Sequence, residues 1–382
     1  MKMTIEPKIF AWARQRAKLD IDALLLHFPK LEDWEKGTVQ PTLNQLEEFA
    51  RVTRTPIGML FLSAPPVEQL PIPDFRVMSE ARLSQPSVDL LETIYICQQR
   101  QEWYQDYIQK QGMPPINCVG SIKFGSNVVK SAETIRQFLH FSIQQRSKCK
   151  TWEEALRFFK NQIEECGILV MTSGVVGSNN RRKLDLQEFR GFVLIDKLVP
   201  LIFVNGNDSK SAQMFTLAHE LAHIWVGKSG ISDPQAGVIP DEKNEKIEYW
   251  CNQIASELLV PLEDLKKIYC EDIAIKELAS HYKVSTLVIL RRIYDLGKID
   301  RKTLWNKYRE ELTRLKEVSL HSVDGGGDFY RTLFAKTSKR FISVLVTNTL
   351  EGQTLFRDAF KMLGIRKTSV FYKISATLGT ES

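Results

Sequence analysis

The sequence of 382 residues has few of the features that define secreted or membrane proteins. Its six cysteines lie far apart and form no CxxC pair, which argues against a disulfide framework and a thiolate zinc site. No apolar run approaches the ~18 residues that a membrane span needs. The first residues, MKMTIEPKIFAWARQR, are charged throughout and lack the apolar core of a signal peptide. We therefore expect a cytoplasmic protein with reduced thiols and no membrane association.

Histidine is equally scarce, with six in the chain. Two of them, His219 and His223, lie four residues apart in QMFTLAHELAHIWVG, and Glu220 lies between them. Residues i and i+4 of a helix share a face, so both imidazoles can bind one metal ion. In this H-E-x-x-H spacing, two neutral histidines bind zinc and the glutamate takes a proton from the attacking water. The other four histidines are more typical of structural residues.

A catalytic zinc also needs a third protein ligand. The helix predicted after the motif, EKIEYWCNQIASELLVP, places Glu248 and Asn252 one turn apart, so both can face the metal helix. Glu248 is the candidate third ligand, and Asn252 could accept the second N–H of a ligand histidine and fix its orientation. From the spacing alone, a solvated helix charge is an equally good interpretation of Glu248.

Three stretches resemble the ImmA/IrrE family of metallopeptidases: FRGFVLIDKLVPLIFVN, FTLAHELAHIWVG and EYWCNQIASELLVP. The family pattern is a strand pair, an H-E-x-x-H helix and an E-x-x-A/C-N-x-x-A-x-x-L-L-x-P helix. The resemblance covers residues 150–300 and implies His219, His223 and Glu248 as metal ligands, with Glu220 as general base. It implies a zinc cofactor, with manganese as the alternative, and a thermolysin-like (minimal gluzincin) core in an α+β fold.

The mechanism also needs a donor for the oxyanion that forms during peptide cleavage. Tyr249, Arg190 and His281 are the candidates, and the sequence does not rank them. By analogy with the fold, we expect a substrate peptide to add as a strand to an edge of the sheet near 190–204.

The N-terminal residues are predicted to form a small helical bundle. WEKGTVQPTLNQLEEFA resembles the ending of the Xre/Cro helix-turn-helix family. Before Trp34, the stretch HFPKLED is about four residues shorter than the turn and recognition helix of that family, and base reading needs a full helix in the major groove. Two interpretations stay open: an Xre-like domain that binds DNA, or a bundle kept for packing or dimerisation.

The C-terminal part is basic: from Lys283 onward there are 19 Lys and Arg against 10 Asp and Glu. AIKELASHYKVSTLVILRRIYDLGKI predicts a second helix-turn-helix, in which Lys283, Arg291 and Arg292 could contact a phosphate backbone. A helical cap on the peptidase domain is an equally good interpretation. We predict six segments: an Xre-like bundle at 1–64, a linker at 65–86, a helical connector at 87–150, a metallopeptidase-like domain at 151–268, a helix-turn-helix-like domain at 269–322 and a C-terminal helical segment at 323–382.

Two functions follow from these patterns. The first is a zinc-dependent endopeptidase that cleaves or regulates one repressor or other regulatory protein, with Glu220 as general base. The second is an antitoxin or transcriptional regulator of a toxin–antitoxin pair, in which the peptidase-like domain is mainly a binding scaffold. The partner is thus a repressor or a toxin, DNA is a further candidate, and the oligomeric state stays open.

Overall fold

The computed structural model describes residues 2–66, 68, 70–74, 86–232, 246–270, 272–320 and 329–379, without the side chains of 316–320 and 329–332. The chain divides into two compact units. One comprises Met1–Pro71 and Arg82–Tyr95, and the other Ile72–Ala81 and Ile96–Ser382. Residues 75–85 of the predicted linker and 324–328 of the DGGGDFY stretch lie outside the described residues.

The N-terminal unit is a helical bundle with an aromatic core. The rings of Phe10, Phe28, Trp34 and Phe49 pack with centroids 5.4–6.2 Å apart. Its second and third helices have five residues each, a length of about 7.5 Å. They are short because the sequence between Leu26 and Trp34 is short. The helices are α1 (Pro7–Arg16), α2 (Ile21–Leu25), α3 (Leu31–Glu35) and α4 (Leu43–Thr53), followed by a 3-10 helix at Ile57–Phe61.

The next helices precede the sheet in the chain. The predicted helical connector at 87–150 begins with the long helix α5 (Val88–Lys110). The hydroxyl of Thr151 accepts a hydrogen bond from the Glu154 amide and so caps the helix that begins at Trp152. The remaining helices of this stretch are α6 (Val128–Phe138), α7 (Ile143–Ser147) and α8 (Trp152–Glu165).

A mixed four-stranded sheet gives the fold its α+β character. The strands are β1 (Leu169–Ser173), β2 (Gly191–Leu194), β3 (Leu201–Asn205) and β4 (Gly230–Ser232), in the spatial order β1-β3-β2-β4. β1 is parallel to β3, and β2 is antiparallel to both β3 and β4. β2 and β3 lie in FRGFVLIDKLVPLIFVN and confirm the strand pair expected in that stretch. The expectation of a sheet edge near 190–204 is wrong, because β4 covers β2 and the edges are β1 and β4.

Helix α9 (Lys210–Val226) lies between the sheet and other helices. It packs against β2 and β3 on one side and against α8 and α10 on the other. As predicted, the next pair of helices is separated by a tight turn at Lys283, with Ser285 capping the second. The helices that follow β4 are α10 (Lys246–Leu259), α11 (Leu262–Ile268), α12 (Ile275–Tyr282), α13 (Thr286–Asp295) and α14 (Arg301–Leu320).

Three arginines form what we call the arginine clamp, at the C-terminal end of α10. They come from three different helices and donate to backbone carbonyls that have no partner within α10. Arg292 also forms an ion pair with the Glu257 carboxylate, and both side chains are about 5% exposed or less. Positive charge at this end of a helix is favourable because it opposes the helix dipole. The donors are Arg136, Arg146 and Arg292, and the acceptors are the carbonyls of Glu257, Leu259 and Val260.

The C-terminal helices are fastened to α5. The Arg100 guanidinium donates to the Met362 carbonyl at 2.8 and 3.0 Å. The Trp103 indole donates to the Thr354 hydroxyl at 3.2 Å, while Arg340 donates to the Tyr104 hydroxyl at 3.0 Å. The helices are α15 (Phe329–Lys336), α16 (Lys339–Leu350), α17 (Phe356–Leu363) and α18 (Thr368–Gly379).

The cysteines and the helix lengths both bear on the class of protein. All six cysteines are free, from the buried Cys97 to the exposed Cys270. Across the described ranges, no helix combines the length and the apolar character needed to cross a bilayer.

The arginine clamp leads to a stability prediction. Arg292→Ala leaves the Glu257 carboxylate buried without its ion-pair partner, so we expect the free energy of unfolding to fall by about 3–5 kcal/mol. Arg291→Ala is the matched control, because Arg291 forms a more exposed pair with Asp295 and should cost ~1 kcal/mol or less. Urea unfolding followed by circular dichroism measures both, and equal losses would contradict the role of the clamp.

Candidate metal centre

Helix α9 is buried along nearly its whole length. The Ser209 hydroxyl caps its first turn, and Gly227 ends it with a left-handed φ of 75°. Every residue from Gln213 to Trp225 is buried. The polar side chains of His219, Glu220 and His223 therefore lie inside the protein, where each of them needs a partner.

The structure brings His219, His223 and Glu248 together. Nε2 of His219 lies 3.1 Å from Nε2 of His223 and 3.1 Å from Oε2 of Glu248. Nε2 of His223 lies 3.0 Å from Oε1 of Glu248. The two histidines are completely buried, and Glu248 is 2% exposed. Among the described residues this trio is the group of histidine, cysteine and carboxylate side chains placed to hold a metal ion.

Asn252 determines which nitrogen of His219 carries the proton. Its Oδ1 lies 2.9 Å from Nδ1 of His219, the contact expected from their spacing. An amide oxygen only accepts hydrogen bonds, so Nδ1 is the nitrogen that donates to it. In the tautomer with its proton on Nδ1 alone, Nε2 of His219 presents a lone pair toward the Glu248 carboxylate, which is also an acceptor. In that tautomer, a cation between the two acceptor atoms relieves their repulsion.

A metal ion fits between these atoms with the right geometry. In a tetrahedral site with bonds of about 2.0–2.1 Å, ligand atoms lie about 3.3–3.4 Å apart. The two Nε2 atoms lie 3.1 Å apart and each lies 3.0–3.1 Å from one of the two Glu248 oxygens, slightly closer than that value. Two imidazoles and one carboxylate are a typical donor set for catalytic zinc, with the fourth position open. The residues present therefore fit the metal that the sequence motif implies.

Glu220 lies beside the trio, in a pocket closed by the sheet. Both of its carboxylate oxygens are fully buried, and neither has a hydrogen-bond partner of normal geometry among the described residues. A Cβ atom on Gly191 of β2 would lie 2.9 Å from Oε1 of Glu220 and 2.7 Å from Thr216. A glycine at 191 therefore lets the strand backbone approach this carboxylate.

Burial dominates the protonation of the site. It raises the pKa of Glu220 well above its ordinary value, and repulsion from Glu248 adds to the effect, while the nearby Ser232 hydroxyl opposes it. Burial also lowers the pKa of His223, against the attraction of Glu248. For Glu248, burial favours the neutral acid, but His219 and His223 together outweigh it and lower the pKa to about 2. Glu248 is thus an anionic ligand, whereas Glu220 is suited to hold and release a proton.

The three candidate oxyanion donors lie in different places. Tyr249 is half-buried and follows Glu248 on α10. Arg190 precedes Gly191, but its guanidinium forms an ion pair with Asp208. His281 is exposed on α12, a helix that packs against α7 and α13, and its ring contacts Tyr282.

The three basic residues considered for nucleic acid are all engaged within the protein. Lys283 is 6% exposed and its ammonium lies 5.5 Å from the ring centre of Trp152. Arg291 pairs with Asp295, and Arg292 belongs to the arginine clamp. Arg292 in particular is buried, so it has no surface to offer a phosphate group. This arrangement favours the interpretation of these helices as a cap on the neighbouring domain.

The site includes two residues that the sequence analysis missed, Gly191 and Ser232. Ser232 ends β4 and pairs with Gly191 in the sheet, so both approach Glu220. A glycine inside a strand often marks a close backbone approach, which is a signal for Gly191. Ser232 had no such signal, because a three-residue strand shows no alternating pattern.

The comparisons with known proteins support a metallopeptidase-like domain. Residues 163–294, about a third of the chain, match the Peptidase_M78 family model, which is described as an IrrE N-terminal-like domain. This match supports the ImmA/IrrE resemblance for that region. Residues 337–376 match a second model, described as a domain of unknown function. No curated protein matches the chain.

Asn252 gives a prediction that is specific to metal binding. Asn252→Ala removes the acceptor that orients His219, so we expect the affinity for zinc to fall about 10–100-fold. Gln253→Ala, its half-buried neighbour on α10, is the matched control and should bind zinc as the wild type does. Competition with a fluorescent chelator measures both affinities, and an unchanged value for Asn252→Ala would contradict the orienting role.

The pKa of Glu220 predicts how pH affects the metal-free protein. A carboxyl whose pKa is raised on folding holds its proton longer in the native state, so stability falls as pH rises above the ordinary pKa. The slope approaches about 1.4 kcal/mol per pH unit while the native group stays protonated. Glu220→Gln removes this loss, so its advantage in melting temperature over the wild type should grow from pH 5 to pH 8. A difference in melting temperature between the two proteins that stays the same from pH 5 to pH 8 would refute the raised pKa of Glu220.

Proposed function

We propose that this protein is a zinc-dependent endopeptidase that cleaves one regulatory protein, such as a DNA-binding repressor. The observation that carries the proposal is the buried trio of His219, His223 and Glu248, whose ligand atoms lie close enough together to bind one cation. A buried Glu220 beside that trio and the Peptidase_M78 match over the same residues support it.

Each residue of the site has a role in this proposal. His219, His223 and Glu248 would hold the ion, which would supply Lewis acidity toward the scissile carbonyl and the attacking water. Glu220 accepts the proton of that water and returns it to the amine nitrogen as the peptide C–N bond breaks. Its raised pKa suits the second step, because the protonated form is the one that donates. Asn252 keeps His219 in the tautomer that binds a metal.

A protein target, rather than any unfolded chain, is proposed because the chain has further helices besides those that form the site. The N-terminal bundle and the helices beyond α14 add recognition surfaces, and a buried site gives a loose peptide little access. The Xre-like bundle, whether it binds DNA or only packs, and the C-terminal segment at 323–382 belong to this proposal as modules that choose the target.

One observation favours the second function, a scaffold that binds a toxin. The side chains of His219, Glu220 and His223 are completely buried, so the site is closed in this structure. A regulator that uses the domain only for binding would not need to open it. The two functions differ in whether the protein needs the Glu220 carboxylate to perform its role in the cell.

Metal content tests the site directly. We expect about one zinc or manganese per wild-type chain by elemental mass spectrometry. Glu248→Ala should lose the metal because it removes a ligand, whereas Glu220→Gln should keep it. Glu257→Ala, a buried carboxylate on the same helix that is no ligand, is the control for general damage to α10. Full metal content in Glu248→Ala would show that the third ligand is another residue.

The same Glu220→Gln variant tests the cleavage. We expect peptide hydrolysis to fall about a hundredfold or more, because the proton acceptor is lost while the metal stays. Mass spectrometry of protein N-termini, in cells that express the wild type or Glu220→Gln, should show new termini from one regulatory protein only with the wild type. Identical termini in both cells would favour the scaffold function.

A further inference from the structure

We propose that the outer edge of β4 is the surface that takes an extended substrate strand, and that the chain's own residues Ile72–Asp74 occupy this surface and restrain the peptidase. We call Ile72–Asp74 the edge segment. The enzymatic part of this inference rests on the proposed function, whereas the strand contact does not.

Strand β4 ends beside Glu220. β4 is an edge strand of the sheet, paired on its inner side with β2. Its last residue, Ser232, pairs with Gly191, and both lie close to the Glu220 carboxylate. A polypeptide that added to the outer side of β4 would therefore pass beside Glu220. Addition of a strand to an exposed sheet edge is a general mode of peptide recognition.

The backbone groups of successive residues in β4 point to opposite sides of the strand. The Arg190 amide donates to the Ser232 carbonyl, so the backbone of Ser232 bonds inward toward β2. Bonding directions alternate along an antiparallel strand, so the N–H and C=O of Ile231 point outward. In Gly230–Ser232, Ile231 thus supplies the backbone groups that an added strand would use.

The outward amide of Ile231 is already bonded to the edge segment. The Ile231 amide donates to the Pro73 carbonyl at 3.0 Å, and Asp74 pairs with Ile231 in a parallel bridge. The edge segment is held by Ile72, which is 9% exposed. A substrate strand needs the same Ile231 amide, so the substrate and the edge segment exclude one another.

The composition of the edge segment suits a blocking role. Pro73 has no N–H, so it accepts the bond from Ile231 without offering a donor of its own. Prolines on the outside of a sheet prevent the addition of further strands. Pro71 and Pro73, both exposed, therefore end the sheet at this edge. The complete burial of His219, Glu220 and His223 is the state expected of a restrained enzyme.

Hydrogen exchange of the Ile231 amide tests the contact without any activity. Ile72→Asp places a charge at a buried anchor and should detach the edge segment, because a buried unpaired carboxylate is strongly unfavourable. We expect the peptide that contains Ile231 to exchange at least about tenfold faster than in the wild type. Ile57→Asp, at an apolar residue that is 38% exposed in the N-terminal unit, is the control and should leave this exchange unchanged.

Hydrolysis of β-casein by the zinc-loaded full chain tests the restraint. Ile72→Asp should cleave this unfolded protein at least about tenfold faster than the wild type and Ile57→Asp do. If Ile72→Asp unfolds, Ile72→Ala can replace it in both experiments. We then expect smaller increases in the exchange of Ile231 and in the cleavage of casein.

Three results would overturn parts of the inference. Equal exchange of Ile231 in Ile72→Asp and the wild type would show that the edge segment does not hold β4. Faster exchange with equal, measurable casein cleavage would keep the contact and refute the restraint. Faster exchange with no casein cleavage by any zinc-loaded variant would also keep the contact, and would refute the claim that detaching the edge segment opens the site to an unfolded chain.

Discussion

The arrangement of acceptors between α9 and α10 is the constraint on which the rest of the structure depends. Asn252 accepts a hydrogen bond from Nδ1 of His219, so in the neutral tautomer a lone pair on Nε2 faces the Glu248 carboxylate inside a buried helix pair. Such an arrangement is costly without a cation, and burial removes the water that would otherwise relieve it. The surrounding elements hold this pair of helices together: the sheet supports α9, and the arginine clamp fixes the end of α10.

The sheet and the site depend on one another through Gly191. Because this position has no side chain, β2 can lie against α9, and Ser232 of the neighbouring strand then reaches the same carboxylate. The strand that closes the pocket is also the strand that ends the sheet. Contact with Glu220 and the end of the sheet are therefore properties of one short element.

Much of the site could be predicted from the sequence, because a helix converts spacing into geometry. The i, i+4 relation put His219 beside His223 and Glu248 beside Asn252, and strongly β-forming runs predicted β1, β2 and β3. What could not be predicted depends on contacts distant in the chain. β4 is three residues long, and its pairing with both β2 and Asp74 is set by the fold. Similarly, the charge of Arg292 indicated a surface residue until its pairing with Glu257 was known.

The attachment of the C-terminal helices to α5 has a consequence for how this protein could have evolved. The segment that matches the second family model is not an independent module, because Arg100 and Trp103 on α5 bond to the backbone of Met362 and the side chain of Thr354. Loss of residues 337–376 by a descendant gene would expose an aromatic helix face and leave a buried guanidinium without its acceptor. Gain or loss of this segment therefore requires coordinated substitutions in α5. We expect α5 and residues 337–376 to be inherited together.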